Sequence, residues 1–158
     1  MFHRLLTTAG VAAAVAFVVG GGAFAIASGS EDGQAESITV IEKTTSQHFV
    51  DVGKAGFSIG DEFFFNSEFW NADQTQQVGS NHGYCVLLTA RLAHCAGTGR
   101  LFGRGTVEYA GNVKLTASDL RIAITGGTGG LKHAEGQVLI HNLNADGTLS
   151  RDVIELVG

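Results

Sequence analysis

The sequence predicts an all-β protein, an antiparallel barrel or sandwich, on three observations. Eight short runs rich in β-branched and aromatic residues follow one another from residue 37, with no helical period between them. Gly, Asn, Asp and Ser fill the gaps between the runs, as hairpin connections require. Prolines are absent while glycines number 23, so glycine has taken over the turns, bulges and corners. Strands without alternating helices exclude a parallel α/β architecture. Eight strands closed on themselves leave an interior that holds one small ligand.

Taken in order, the chain opens with a segment foreign to that pattern. Residues 1–27 carry an early Arg4, an uncharged apolar run, and Ala23-Phe24-Ala25 and Ala25-Ile26-Ala27, both of A-x-A form. This is the layout of a signal peptide, and the run is also long enough to serve as an uncleaved N-terminal membrane anchor. Either way the sequence places the protein outside the cytoplasm, secreted or extracytoplasmic. Residues 28–37, "SGSEDGQAES", read as a polar linker, and residues 38–158 as the β domain. The expected strands are 37–45, 61–70, 84–90, 92–103, 105–111, 119–126, 136–143 and 148–157, with 46–60 and 112–118 irregular. "NADGT" (144–148) is a turn in which Asp-Gly supplies the positive φ of a tight hairpin.

Charge narrows the partners. The net charge is −5, and removal of residues 1–27 takes away Arg4 and leaves −6. No basic stretch offers an electrostatic footprint for nucleic acid, and membrane contact is expected only through the N-terminal segment. The two cysteines, Cys85 and Cys95, both lie in the exported part and suggest a disulfide. A three-residue turn at Thr89-Ala90-Arg91 sets them opposite one another on neighbouring strands. The histidines form neither H-x-x-x-H nor H-x-H, so no metal and no cofactor are expected.

"GGTGG" (126–130) poses a sharper question, because glycine-rich loops often cradle phosphate. A dinucleotide frame begun at Gly127 has Lys132 where its third glycine belongs, and the P-loop pattern is missing. The segment that follows, "GQVLIHNL", has strand character, so no helix N-terminus is available to bind an anion. The glycines are a turn, not a phosphate site.

That turn also carries a resemblance. "ITGGTGGLKHAEG" (124–136) resembles the G-G-T-G-x-x-x-x-A-x-G motif of dirigent proteins and allene oxide cyclases. "GDEFFFNSEFW" (60–70), "VGSNHGYC" (78–85) and "GRGTVEY" (103–109) resemble further landmarks of that family, in the same order. The resemblance implies an eight-stranded antiparallel β-barrel, lipocalin-like in shape, with an apolar lumen and with Gly126, Gly127 and Gly129 in a structural turn. It further implies an exported barrel that handles an apolar small molecule, steering a cyclisation or isomerisation without cofactor. A non-catalytic carrier barrel and a filled barrel serving as an interaction module are the alternatives.

Glu42 is the main candidate for chemistry. In "SITVIEKTT" the face of Ile38, Val40, Glu42 and Thr44 is the more apolar, so it turns inward and takes Glu42 with it. A carboxylate in an apolar lumen has the raised pKa that suits a general acid or base. By resemblance, "VIEKT" matches the cyclase strand whose Glu faces the substrate. Thr44 and Ser67 stand where the cyclases have Asn, as hydrogen-bond donors, and Val107 stands near a Tyr of the cyclases, with Tyr109 two residues on and on the same face. Val40, Phe63, Phe65, Phe69 and Tyr109 are expected to line the lumen. Phe64 and Trp70, on the opposite face of their strand, suggest an outer contact and a possible homo-oligomer.

Overall fold

The structure, a computed structural model, describes residues 35–157. Residues 1–34, with the expected signal or anchor segment and most of the expected linker, lie outside the described residues. Eight strands account for nearly all of the rest: β1 (Glu36–Val50), β2 (Glu62–Trp70), β3 (Gln77–Thr89), β4 (Leu92–Leu101), β5 (Gly105–Lys114), β6 (Asp119–Gly127), β7 (Glu135–Asn142) and β8 (Leu149–Val157). Each pairs antiparallel with its neighbours in sequence, and β8 returns to β1 to close the barrel. Closure removes both sheet edges, although the β5–β6 ladder holds only Val107–Ala110 against Ala123–Gly127 and leaves the rest of those two strands unpaired on that side.

Three strands run further than the sequence reading gave them. β1 starts at Glu36, two residues into the expected linker, and continues to Val50 through a segment expected to be irregular. Its register shifts between Thr44 and Ser46, leaving Thr45 as an extra residue. Such a bulge reverses which side chains face inward. Glu42 and Thr44 reach the interior before it, and Gln47 after it. β3 begins seven residues earlier than expected, which brings Asn81 into the sheet. β5 extends to Lys114.

Cys85 and Cys95 are directly paired on β3 and β4, with Cα atoms 4.0 Å apart, and are joined by a disulfide. Their turn is two residues, Ala90-Arg91, rather than three, because Leu88 is taken up in a bulge. Closing this short loop stabilises the fold by about 2–3 kcal/mol on the chain-entropy account.

The glycine motif closes one end of the barrel. Gly126 and Gly127 are the last residues of β6 rather than part of the turn, which is a single 3₁₀ turn at Gly129–Leu131. Thr128 donates its N–H to the Thr106 carbonyl at 3.0 Å, and Gly130 donates to that of Arg104 at 2.7 Å. A Cβ on Gly127 would collide with the carbonyl oxygens of Thr106 and Leu131, while Gly129 needs its φ of +64°. This close approach drives Leu131 into the core, where it packs with Val40, Leu101, Val107 and Ile154. The core cluster runs along the barrel, and several of its members, Phe69, Val107, Ile122, Val138 and Ile154, also line the interior cavity.

Candidate functional site

The interior is not filled throughout. A cavity of about 260 Å³ lies inside the barrel, and its upper wall includes Leu115, Ala117, Asp146 and Gly147 from the β5–β6 and β7–β8 connections. It opens at that end, beside an aromatic cluster in which Phe49 stands 5.3 Å from Phe57 and 6.4 Å from Phe63. An apolar cavity of roughly 150 Å³ already holds a benzene-sized guest, so this volume suits a compact molecule of about two rings.

Phe63, Phe65, Phe69 and Tyr109 all line the cavity, as do Glu42 and Thr44. Val40 faces inward but is 1% exposed and belongs to the packed core beneath. Ser67 also faces inward, paired with Thr44 on one side and Asn81 on the other, and is buried outside the cavity wall itself. Its hydroxyl has no hydrogen-bond partner. Phe64 and Trp70 point outward; Phe64 packs against Tyr84 at 6.2 Å, and Lys43 lies 4.5 Å over the Trp70 ring.

At the cavity floor five polar side chains meet. Glu42 of β1 accepts a hydrogen bond from Asn81 Nδ2 of β3 at 2.8 Å. Tyr109 of β5 donates its hydroxyl to Asn81 Oδ1 at 3.0 Å. Room for the phenol comes from Gly83 and Gly97, where any Cβ would strike its oxygen. On the other side of Glu42, Ser150 of β8 lies directly across the strand pair and donates to Asp152 Oδ1 at 2.7 Å. Asp152 is 2% exposed, and its carboxyl lies beside that of Glu42, close enough for the Glu42 charge to act on it.

Two carboxyl groups this close in a dry site cannot both hold their charge. Burial, and then the charge of Glu42, push the Asp152 carboxyl well above the usual carboxylate range, and it keeps its proton. Burial and the same Glu42 charge push the Tyr109 phenol upward as well, so it serves as a neutral donor. The arrangement is a carboxylate and a carboxylic acid side by side, with a Tyr–Asn arm orienting the carboxylate. Such a pair can take a proton at one oxygen and return one from another.

Sequence reasoning found Glu42 and Tyr109 but missed Asn81, Ser150 and Asp152. Asn81 lay outside the expected third strand. In "SRDVIELV" the inward face carries Ser150, Asp152 and Ile154, and the apolar Ile154 gives no sign that two polar residues on the same face meet Glu42.

Fold and site together define a closed eight-stranded antiparallel barrel with an open lumen and an acid-bearing floor. No protein-family model matches the chain, and no curated protein sequence does. Among solved structures it is similar to a pyocyanin demethylase, at 22% identity and a TM-score of 0.68, covering 77% of this chain and 99% of that one. It is also similar to the pterocarpan synthase dirigent protein GePTS1, at 12% identity and a TM-score of 0.63, covering 84% and 92%. The Diels-Alderase AbmU from Streptomyces koyangensis matches at 18% identity and a TM-score of 0.62, covering 81% and 70%. At these identities the likeness establishes the fold: the chain carries the barrel that its glycine motifs resemble.

Proposed function

We propose that this protein is a cofactor-independent isomerase or cyclase acting on a compact apolar molecule held in the barrel lumen. Glu42 is the general base and Asp152 the acid that returns the proton. Thr44, which lines the cavity, is a donor toward the reacting group. The observation that carries this reading is the placing of Glu42 and Asp152 together at the floor of an open, aromatic-walled cavity, held by Asn81, Tyr109 and Ser150. A filled barrel has no use for a buried carboxyl pair, which costs stability unless something repays it. The neighbours named as a Diels-Alderase and a dirigent pterocarpan synthase support a cyclisation-steering role, in which a shaped pocket holds one reactive conformer. The A-x-A motifs near residue 25 support export, so the reaction belongs outside the cytoplasm.

A bicyclic probe tests the base directly. 5-Nitrobenzisoxazole loses its ring C–H proton to a desolvated carboxylate as its N–O bond opens, giving a coloured cyanophenolate. Wild-type protein should accelerate this reaction, and Glu42→Gln should lose about 10²-fold of the acceleration. Equal rates for the two proteins would remove Glu42 as a base. Tight binding of the probe without turnover, unchanged in Glu42→Gln, would instead identify a carrier.

A further inference from the structure

The polar groups of the lumen are one-sided in charge. Glu42, Asp146 and Asp152 reach the cavity, while no Lys, Arg or His is among the described residues that line it. Within the cluster Asn81 gives to Glu42, Tyr109 to Asn81 and Ser150 to Asp152. What remains facing the space is carboxyl oxygen together with the neutral side chains of Thr44 and Gln47. At the rim Asp146 keeps its charge, held low by hydrogen bonds from the Thr148 hydroxyl and N–H.

The carboxyl-bearing floor is a polar centre in an otherwise largely apolar wall, so a guest with a polar group suits it better than a hydrocarbon. The surrounding charge fixes the sign of that centre. An anion would meet net negative charge in a low-dielectric pocket with no cation to balance it. A cation would meet carboxylate oxygen and the faces of Phe63, Phe65 and Phe69.

We infer that the lumen selects a compact apolar cation, of the protonated or quaternary amine class, over a neutral or anionic molecule of the same shape. The inference rests on the proposed use of the lumen as a small-molecule site and adds the class of molecule. It argues against a carboxylate-bearing lipid as the substrate.

Three isosteric two-ring probes test it by calorimetry on the barrel protein: 1-methylquinolinium, 1-methylnaphthalene and 1-naphthoate. The cation should bind about tenfold or more tighter than the hydrocarbon, a difference of about 1.4 kcal/mol, and the naphthoate should bind weakest. In Glu42→Gln/Asp152→Asn the cation's advantage should fall to within about threefold of the hydrocarbon, whose own affinity stays unchanged. Asp146→Asn, at the exposed rim, gives the same test in milder form and leaves the buried floor intact. Equal binding of all three probes would overturn the charge selection and leave the lumen reading standing. Binding by none of them would overturn both.

Discussion

Asp61 and Asp152 are both almost wholly removed from solvent, at 0% and 2% exposure, yet their carboxyl groups are pushed in opposite directions. Asp61 sits where the β1–β2 connection enters β2. It accepts the N–H of Val52 at 2.9 Å, the N–H of Ser58 at 2.6 Å and the Ser58 hydroxyl at 3.1 Å. Hydrogen bonds from the Val52 and Ser58 backbone hold its carboxyl below the usual range. Asp152 receives one hydroxyl, from Ser150, and faces another carboxylate. At Asp61 backbone donors set the direction, whereas at Asp152 desolvation and then the neighbouring Glu42 charge do. An aspartate surrounded by N–H groups is a staple for a loop. One denied them, beside a second carboxylate, is a proton reservoir at a cavity.

The contrast can be broken from either side. Asp61→Ala should have the largest effect on stability, because it strips acceptors from the Val52 and Ser58 amides at once. The urea midpoint at pH 7 should fall, and amide exchange should quicken across residues 51–60 before it does in the barrel. A variant that exchanges no faster there would show that the loop is held by something else.

Asp152→Asn should move stability the other way. The folded carboxyl titrates above its unfolded value, so above pH ~4 the native state keeps a proton that the unfolded chain has released. Wild-type stability accordingly falls as pH rises from ~4 through the Asp152 titration. The asparagine variant retains a donor for Glu42 and lacks that titration, so it should be more stable than wild type at pH 8 and equal to it near pH 4. Asp61 contributes in the reverse sense: its stabilisation is present above pH ~4 and disappears as the pH drops through its lowered titration. Urea melts at pH 3.5, 6 and 8 on both variants resolve the two signs. If Asp152→Asn is the less stable at pH 8, the carboxyl pair is a net stabilising contact and its catalytic reading weakens.

The smallest change sharpens the same point. Ser150→Ala removes the one neutral donor to Asp152 and should cost roughly 1 kcal/mol. It should also raise the Asp152 titration further, since the Ser150 bond holds it down. Carboxyl chemical shifts followed against pH would read this, and a downward move would contradict the assignment of Ser150 as donor.

Much of the fold was legible in the sequence because it rests on short-range rules. β-branched runs punctuated by glycine announce strands and turns, and the "GGTGG" stretch without a following helix announces a closing turn. Alternation along residues 37–45 sent Glu42 inward, where it lies. The reading failed where one residue changed the count. Thr45, an extra residue in β1, reverses the inward face, so Gln47 reaches the cavity from a stretch taken as loop.

What the sequence by itself determined is an all-β chain of about eight strands, a bridged cysteine pair, and one inward-facing glutamate. These follow from periodicities of two residues and from local backbone preferences. What only the tertiary structure decided is the company Glu42 keeps. Asn81 on β3, Tyr109 on β5 and Asp152 on β8 are separated from it by 39 to 110 positions, and barrel closure alone brings them together. No local rule encodes a proton shared across a closed sheet, because its energy depends on burial and on a neighbouring charge that exist only once the barrel has closed.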